Sequence, residues 1–168
     1  MKILITLFLL TLQFNLFAQI ENLSPESKAI IEFYKNEFSI DTNGIKTISP
    51  KAIKFYSVAI HNNDSTFVQE IQSVNTFTLK ATKIDGDRYC RIIVEEWIFD
   101  NTEKASSFAK QLKNKEHLSY IKAPTILFIS LNKIYFISTQ AECFRSKLSV
   151  FFKKYYSLFK EKQIICYH

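Results

Sequence analysis

RYCRIIVEEWIFDNTEKA, residues 88–105, is the stretch on which the reading of the fold turns. Its first part is rich in β-branched and aromatic residues and reads as a strand. Asp100, Asn101 and Thr102 then offer helix caps, and Ala105, Phe108, Ala109 and Leu112 recur at i, i+3, i+4, i+7 spacing. A strand therefore feeds directly into an amphipathic helix. On the N-terminal side TFTLKATKI (76–84) alternates, and Asp85-Gly86-Asp87 is a strong turn signal, so the two strands form a hairpin.

The same stretch carries the most chemical-looking pair in the chain, Glu95 and Glu96, beside Trp97, the single tryptophan. Neighbouring side chains of a strand point to opposite faces. Glu96 thus shares a face with Cys90, Ile92, Val94 and Ile98, whereas Glu95 shares the other with Tyr89, Arg91, Ile93, Trp97 and Phe99. Carboxylates placed back to back cannot act as an acid/base dyad on one substrate. Glu96, if turned inwards, needs a partner and is a candidate for a pocket; otherwise it sits at a strand edge paired with a lysine. Trp97 reads first as a core residue. If exposed, it would form with Glu95, Arg91 and Tyr89 a mixed aromatic and charged binding patch.

Outward from this centre, TILFISLNKIYFIS (125–138) reads as two strands joined at Asn132-Lys133. Residues 141–160 read as a long helix with Phe144, Leu148, Phe151, Phe152, Tyr155 and Phe159 on one face, and QIICY (163–167) as a last short strand. Residues 88–167 then follow a β-α-β-β-α-β order, that of a ferredoxin-like layer. Upstream, Ser24 is a good N-cap, Pro25 suits the first helical turn and Glu26 the positive dipole end, so a helix is expected to about Ser39. KFYSVAI (54–60) is β-prone, and 65–74 fits a short helix or a strand. The expectation is an α+β domain with helices on one face of a mostly antiparallel sheet, extended by the N-terminal helix and the hairpin.

The segment EEWIFDNTEKASSFAKQLKNKEHLSYI (95–121) resembles the strand-helix segment of small ferredoxin-like monooxygenases of the antibiotic-biosynthesis type. The matching positions are Glu95, Trp97, Ala105 and His117. The resemblance implies the fold and is carried no further.

The start of the chain has the layout of a secretory leader. A basic Met1-Lys2 precedes the apolar run ILITLFLLTL (3–12), and a small residue, Ala18, stands before Gln19. The run is well short of the ~20 residues of a bilayer span, and no cysteine follows it to carry a lipid. Residues 1–18 are thus expected to be a cleaved signal peptide and 19–168 a single exported domain, with no stable membrane anchor. The 168 residues carry 22 Lys and Arg against 16 Asp and Glu, a net charge of +6, or +5 without the one lysine of the leader. Such an excess favours acidic partners without naming one. The lysines of 141–162 flank an aromatic face that core packing requires, so they read as a solvated edge and nucleic acid is not an expected partner.

Cys90, Cys143 and Cys166 are disulfide candidates in an oxidising compartment, with Cys143–Cys166 favoured and Cys90–Cys143 next. No C-x-x-C, H-x-x-x-H or G-x-S-x-G spacing is present, and 2 Gly leave no phosphate-binding loop. No metal, cofactor or catalytic set is expected. These features imply a small exported, non-enzymatic binding protein that meets another protein, in the manner of a periplasmic inhibitor or an immunity-type protein. The alternative is a ferredoxin-like ligand-binding or enzymatic domain with a pocket between sheet and helices.

Overall fold

The computed structural model describes residues 20–41, 44–50, 67–82, 91–113, 125–139 and 164–167. The leader, the 54–60 strand, the 85–87 turn, the 141–160 helix, Tyr89, Cys90, Cys143 and the three histidines lie outside the described residues.

Helix α1 spans Pro25–Tyr34 and begins as its sequence requires. Ser24, in an extended conformation, caps it by accepting a hydrogen bond from the Ser27 amide at 3.1 Å. It ends five residues before Ser39. The chain instead enters strand β1 (Phe38–Ile40), followed by β2 (Lys46–Ile48), a 3-10 turn (Phe67–Glu70), β3 (Ser73–Ala81) and β4 (Arg91–Ile98). Helix α2 (Thr102–Lys113), β5 (Thr125–Ser130), β6 (Lys133–Thr139) and β7 (Ile164–Tyr167) complete the described elements. Pairing across the chain stops α1 early: Phe38 meets Ala81, and the Asp41 and Thr82 amides bond to Thr78 and Glu37 carbonyls. The ladder satisfies those groups and buries Phe38, which another helical turn would not. The undecided 65–74 stretch divides, its first part a 3-10 turn and its end the start of β3.

All the described strand pairs are antiparallel, in the order β1-β3-β4-β6-β5-β7, with β2 also pairing to β3. The β3–β4 hairpin and the β4-α2-β5 unit, with β6 inserted between its strands, follow the sequence reading. The closing strand does not. A ferredoxin-like layer returns its last strand beside its first, but that side of β4 is occupied by β3, and β7 lies beside β5 at the far edge. The upstream hairpin has taken the place the fourth strand would have used.

The expectation of helices on one face is also corrected. Ile30 and Tyr34 of α1 pack with Phe77, Leu79, Ile92, Val94, Phe128, Tyr135 and Ile137. Ala105, Phe108 and Ala109 of α2 pack with Val74, Trp97, Leu127, Ile129, Ile134 and Phe136. These two sets alternate along every central strand, so α1 and α2 cover opposite faces. Two-sided cover explains why β4, β5 and β6 are nearly continuous apolar runs. Each fully buried Phe or Ile in these layers contributes roughly 1.5–3 kcal/mol of transfer free energy.

The β5–β6 connection is two residues, Leu131 and Asn132. Asn132 is tied to the end of β4: its side-chain amide donates to the Phe99 carbonyl at 2.7 Å, and its own carbonyl accepts from the Phe99 amide at 2.9 Å. Leu131 carries the strain, with φ 54° and 71% exposure. The left-handed region costs a residue with a Cβ about 1–2 kcal/mol. Leu131→Gly is therefore expected to stabilise the fold by up to about 1 kcal/mol once glycine's extra chain entropy is set against the relief. Urea unfolding midpoints of the two proteins check this.

Candidate functional site

The back-to-back geometry of the two glutamates is what the strand produces, and both are inside. Glu95 is 3% exposed and Glu96 fully buried, on opposite faces of the central strand. Each side chain has met burial differently.

Glu96 faces α1. In register across the sheet it lies between Asn75 of β3 and Tyr135 of β6. Its Oε2 accepts hydrogen bonds from the hydroxyls of Ser24 at 2.9 Å and Ser27 at 2.8 Å, and its Oε1 accepts from Lys133 Nζ at 2.5 Å. The carboxylate thus closes the N-terminal end of α1, where the helix dipole favours negative charge, and neutralises a lysine whose side chain is largely buried. A second carboxylate joins the cluster from α1 itself: Glu26 accepts from the Ser130 hydroxyl and from Tyr135 Oη, the latter at 3.3 Å. Burial, with the charges of Glu96 and Glu26 adding to it, pushes the Tyr135 phenol far above its ordinary range, so it stays a donor. Three serines, a tyrosine and a lysine thus converge on two carboxylates at one end of this face.

Such a set could in principle activate a hydroxyl, but the donors here are committed inwards. Both serines and the lysine give their hydrogen bonds to Glu96. Of this cluster the sequence pointed to Ser24 and Glu26 as helix-start residues and to Glu96 as a group that needs a partner if turned inwards. The lysine was expected only for a Glu96 at a strand edge, whereas Glu96 is buried on a central strand and has the lysine there. Ser27, Ser130, Lys133 and Tyr135 were not singled out. Their only signal is spatial: α1 and β4 are about seventy positions apart, and no local spacing relates them.

Glu95 faces α2. Trp97 Nε1 donates to its Oε2 at 3.0 Å, and among the described residues no second donor reaches it. Burial outweighs that bond and raises the carboxyl to about 7. Trp97 is fully buried, 4.3 Å from the Phe136 ring and 5.8 Å from that of Phe108 on α2. It is therefore a core residue, not the centre of an exposed patch. Arg91, at the start of β4, is exposed and makes no ion pair with Glu95 among the described residues. The structure keeps Glu95 and Trp97 together and leaves Arg91 apart from them.

Cys166 lies on β7, in register with Ile126. β7 finishes at the end of the sheet where β4 begins, three strand spacings from it, about 14 Å. Among the described residues no three His, Cys, Asp or Glu side chains gather as a metal site, and no helix is long and apolar enough to cross a membrane. Compared with known proteins, the chain matches no family model, no curated protein and no solved structure. The monooxygenase resemblance of 95–121 thus finds no family match behind it.

The Glu96 cluster carries a test. Glu96→Ala leaves Lys133 and two buried hydroxyls without their acceptor and is expected to cost about 3–5 kcal/mol. Ser27→Ala removes one donor of three and is expected to cost about 1–3 kcal/mol. Denaturant unfolding measures both, and equal, negligible losses would show that the cluster does not hold α1 to the sheet.

Proposed function

We propose that this chain is a small exported protein that acts by binding another protein. The observation that carries the reading is Leu131, a large apolar side chain held out in solvent on a left-handed backbone at the tip of the β5–β6 hairpin. A single exposed leucine is ordinary. One that is also held where glycine would fit better costs stability through its backbone, and strained positions of this kind concentrate at functional sites. The site chemistry agrees with a binding role. The groups that could have been catalytic, Glu95 and Glu96, lie on opposite faces, and the hydroxyls beside Glu96 serve α1. A secreted inhibitor or an immunity-type protein is the concrete form of the proposal, and the apolar run at residues 3–12 supports export.

Two measurements test it. After expression in an export-competent host, the intact mass is expected to lack residues 1–18; a mass that retains them would remove the export step. Affinity capture of the tagged protein from the envelope fraction of its source is expected to return one stoichiometric protein. Titration with that protein, once purified, is expected to give an affinity at least about tenfold weaker for Leu131→Gly, whose fold is no less stable. A capture with no protein partner would move the reading to a small-molecule pocket between sheet and helices. Undiminished binding by Leu131→Gly would place the contact elsewhere.

A further inference from the structure

Glu95 is the buried ionisable group that the described packing leaves least supported. The row it occupies across the sheet is Lys46, Thr76, Glu95, Phe136 and Leu127, and the neighbouring rows on that face include Val74, Trp97, Ile134 and Thr78, Ile93, Ser138. Besides Glu95 itself the one charged residue among these is Lys46, which is exposed on β2, two strands away, and makes no ion pair with the carboxyl among the described residues. The other charged groups on the same face are Arg91 of its own strand and Lys80 of β3, opposite each other two rows away at the far end. β6 brings Ile134, Phe136 and Ser138, while α2 turns Ala105, Phe108 and Ala109 inwards and keeps Glu103, Lys104 and Lys110 exposed. No cation among the described side chains therefore stands against the carboxyl, in contrast to Glu96 with Lys133 on the other face.

What does touch Glu95 is the indole of Trp97, and that indole is also one of the sheet residues on which α2 sits, through Phe108. We propose that Glu95 is a proton switch: it fits this layer as a neutral acid, and loss of its proton loosens the Trp97–Phe108 contact and so the seating of α2 on the sheet. The physical reason is desolvation. An ionised carboxylate without a cation in an apolar layer draws in water or turns outwards, and either movement opens the layer. The Trp97 hydrogen bond favours the ionised form, but it is the smaller effect.

The direction with pH follows. The carboxyl is raised from its ordinary value of 4.5 to about 7 in the fold. Below 4.5 it is protonated both folded and unfolded. Between 4.5 and 7 the folded state holds the proton and the unfolded state does not, so stability falls as pH rises, and the loss levels off above 7. From pH 5 to pH 8 this weakens the equilibrium against opening by about 70-fold.

The protein supplies its own reporter, since Trp97 is the one tryptophan and bonds directly to the titrating group. Its fluorescence and its indole N–H resonance are expected to titrate with a midpoint near 7 in the unmodified protein and to be flat over the same range in Glu95→Gln. Hydrogen exchange of the α2 amides from Ser106 to Lys110, corrected for the intrinsic pH dependence of exchange, is expected to show the 70-fold rise in the unmodified protein alone. A midpoint below pH 5, or a Trp97 titration that survives in Glu95→Gln, would overturn the assignment to Glu95. A Trp97 titration with no change at α2 would overturn the coupling. Should Glu95→Gln fail to fold, the side-chain carboxyl carbon shift of Glu95 in the unmodified protein gives the same decision. None of these readouts involves a binding partner, so the switch stands or falls independently of the proposed binding role.

Discussion

The fold depends on a strand that is buried on both sides and still contains two carboxylates. β4 lies in the middle of the sheet, with α1 over one face and α2 over the other. A buried carboxylate needs either partners or its proton. Glu96 has the first solution, and in taking it fastens three separate elements together: the start of α1, the strand β4 and the first residue of β6. Glu95 has the second, with one indole bond and a raised affinity for its proton. The difference comes from what each face brings to the row, serines and a lysine on one and aromatic rings on the other.

The pair also bears on register. A slip of one residue turns every side chain of a strand to the opposite face. In RIIVEEWI most residues are apolar and both faces are apolar layers, so hydrophobicity alone discriminates weakly between the two settings. The residues around the glutamates make the settings unequal. A slip in one direction takes both carboxylates away from Lys133, Ser24 and Ser27; a slip in the other puts Glu95 in the place of Glu96, but leaves Trp97 to fit under α1 and sets Glu96 in the layer of Phe108 and Phe136. The buried ion pair thus discriminates against one slip and the shape of Trp97 against the other.

Local signals in the sequence were read correctly where the chain itself decides. The Ser24 cap, the β3–β4 hairpin, the caps before α2, the short strand at 164–167 and the opposed glutamates all rest on spacing within a few residues. What was misread depends on partners far away. The length of α1 was overestimated because Phe38 satisfies a helical pattern and a strand edge equally well. The place of β7 follows from β3 already occupying β4, which no local pattern records. The one-face expectation had a warning in the sequence: ILFIS and IYFIS do not alternate, and unbroken apolar strands mark sheets covered on both sides. Trp97, weighed as either core or patch, is settled by the same two-sidedness. Ser27 and Lys133 became visible as site residues only when the sheet set them beside Glu96.

The strain at Leu131 is a consequence of this same centre. Lys133 must begin β6 where its ammonium reaches Glu96, and Ser130 must end β5 where its hydroxyl reaches Glu26. Asn132 is held on both its amide and its carbonyl by Phe99. Two residues remain to reverse the chain, and the first of them has to take a positive φ. The buried cluster therefore explains why that backbone conformation exists. It does not explain a leucine there, since glycine would close the same turn without the steric cost and no described core contact is gained by a side chain 71% exposed. The conformation belongs to the fold, and the choice of side chain is what the proposed binding role would account for.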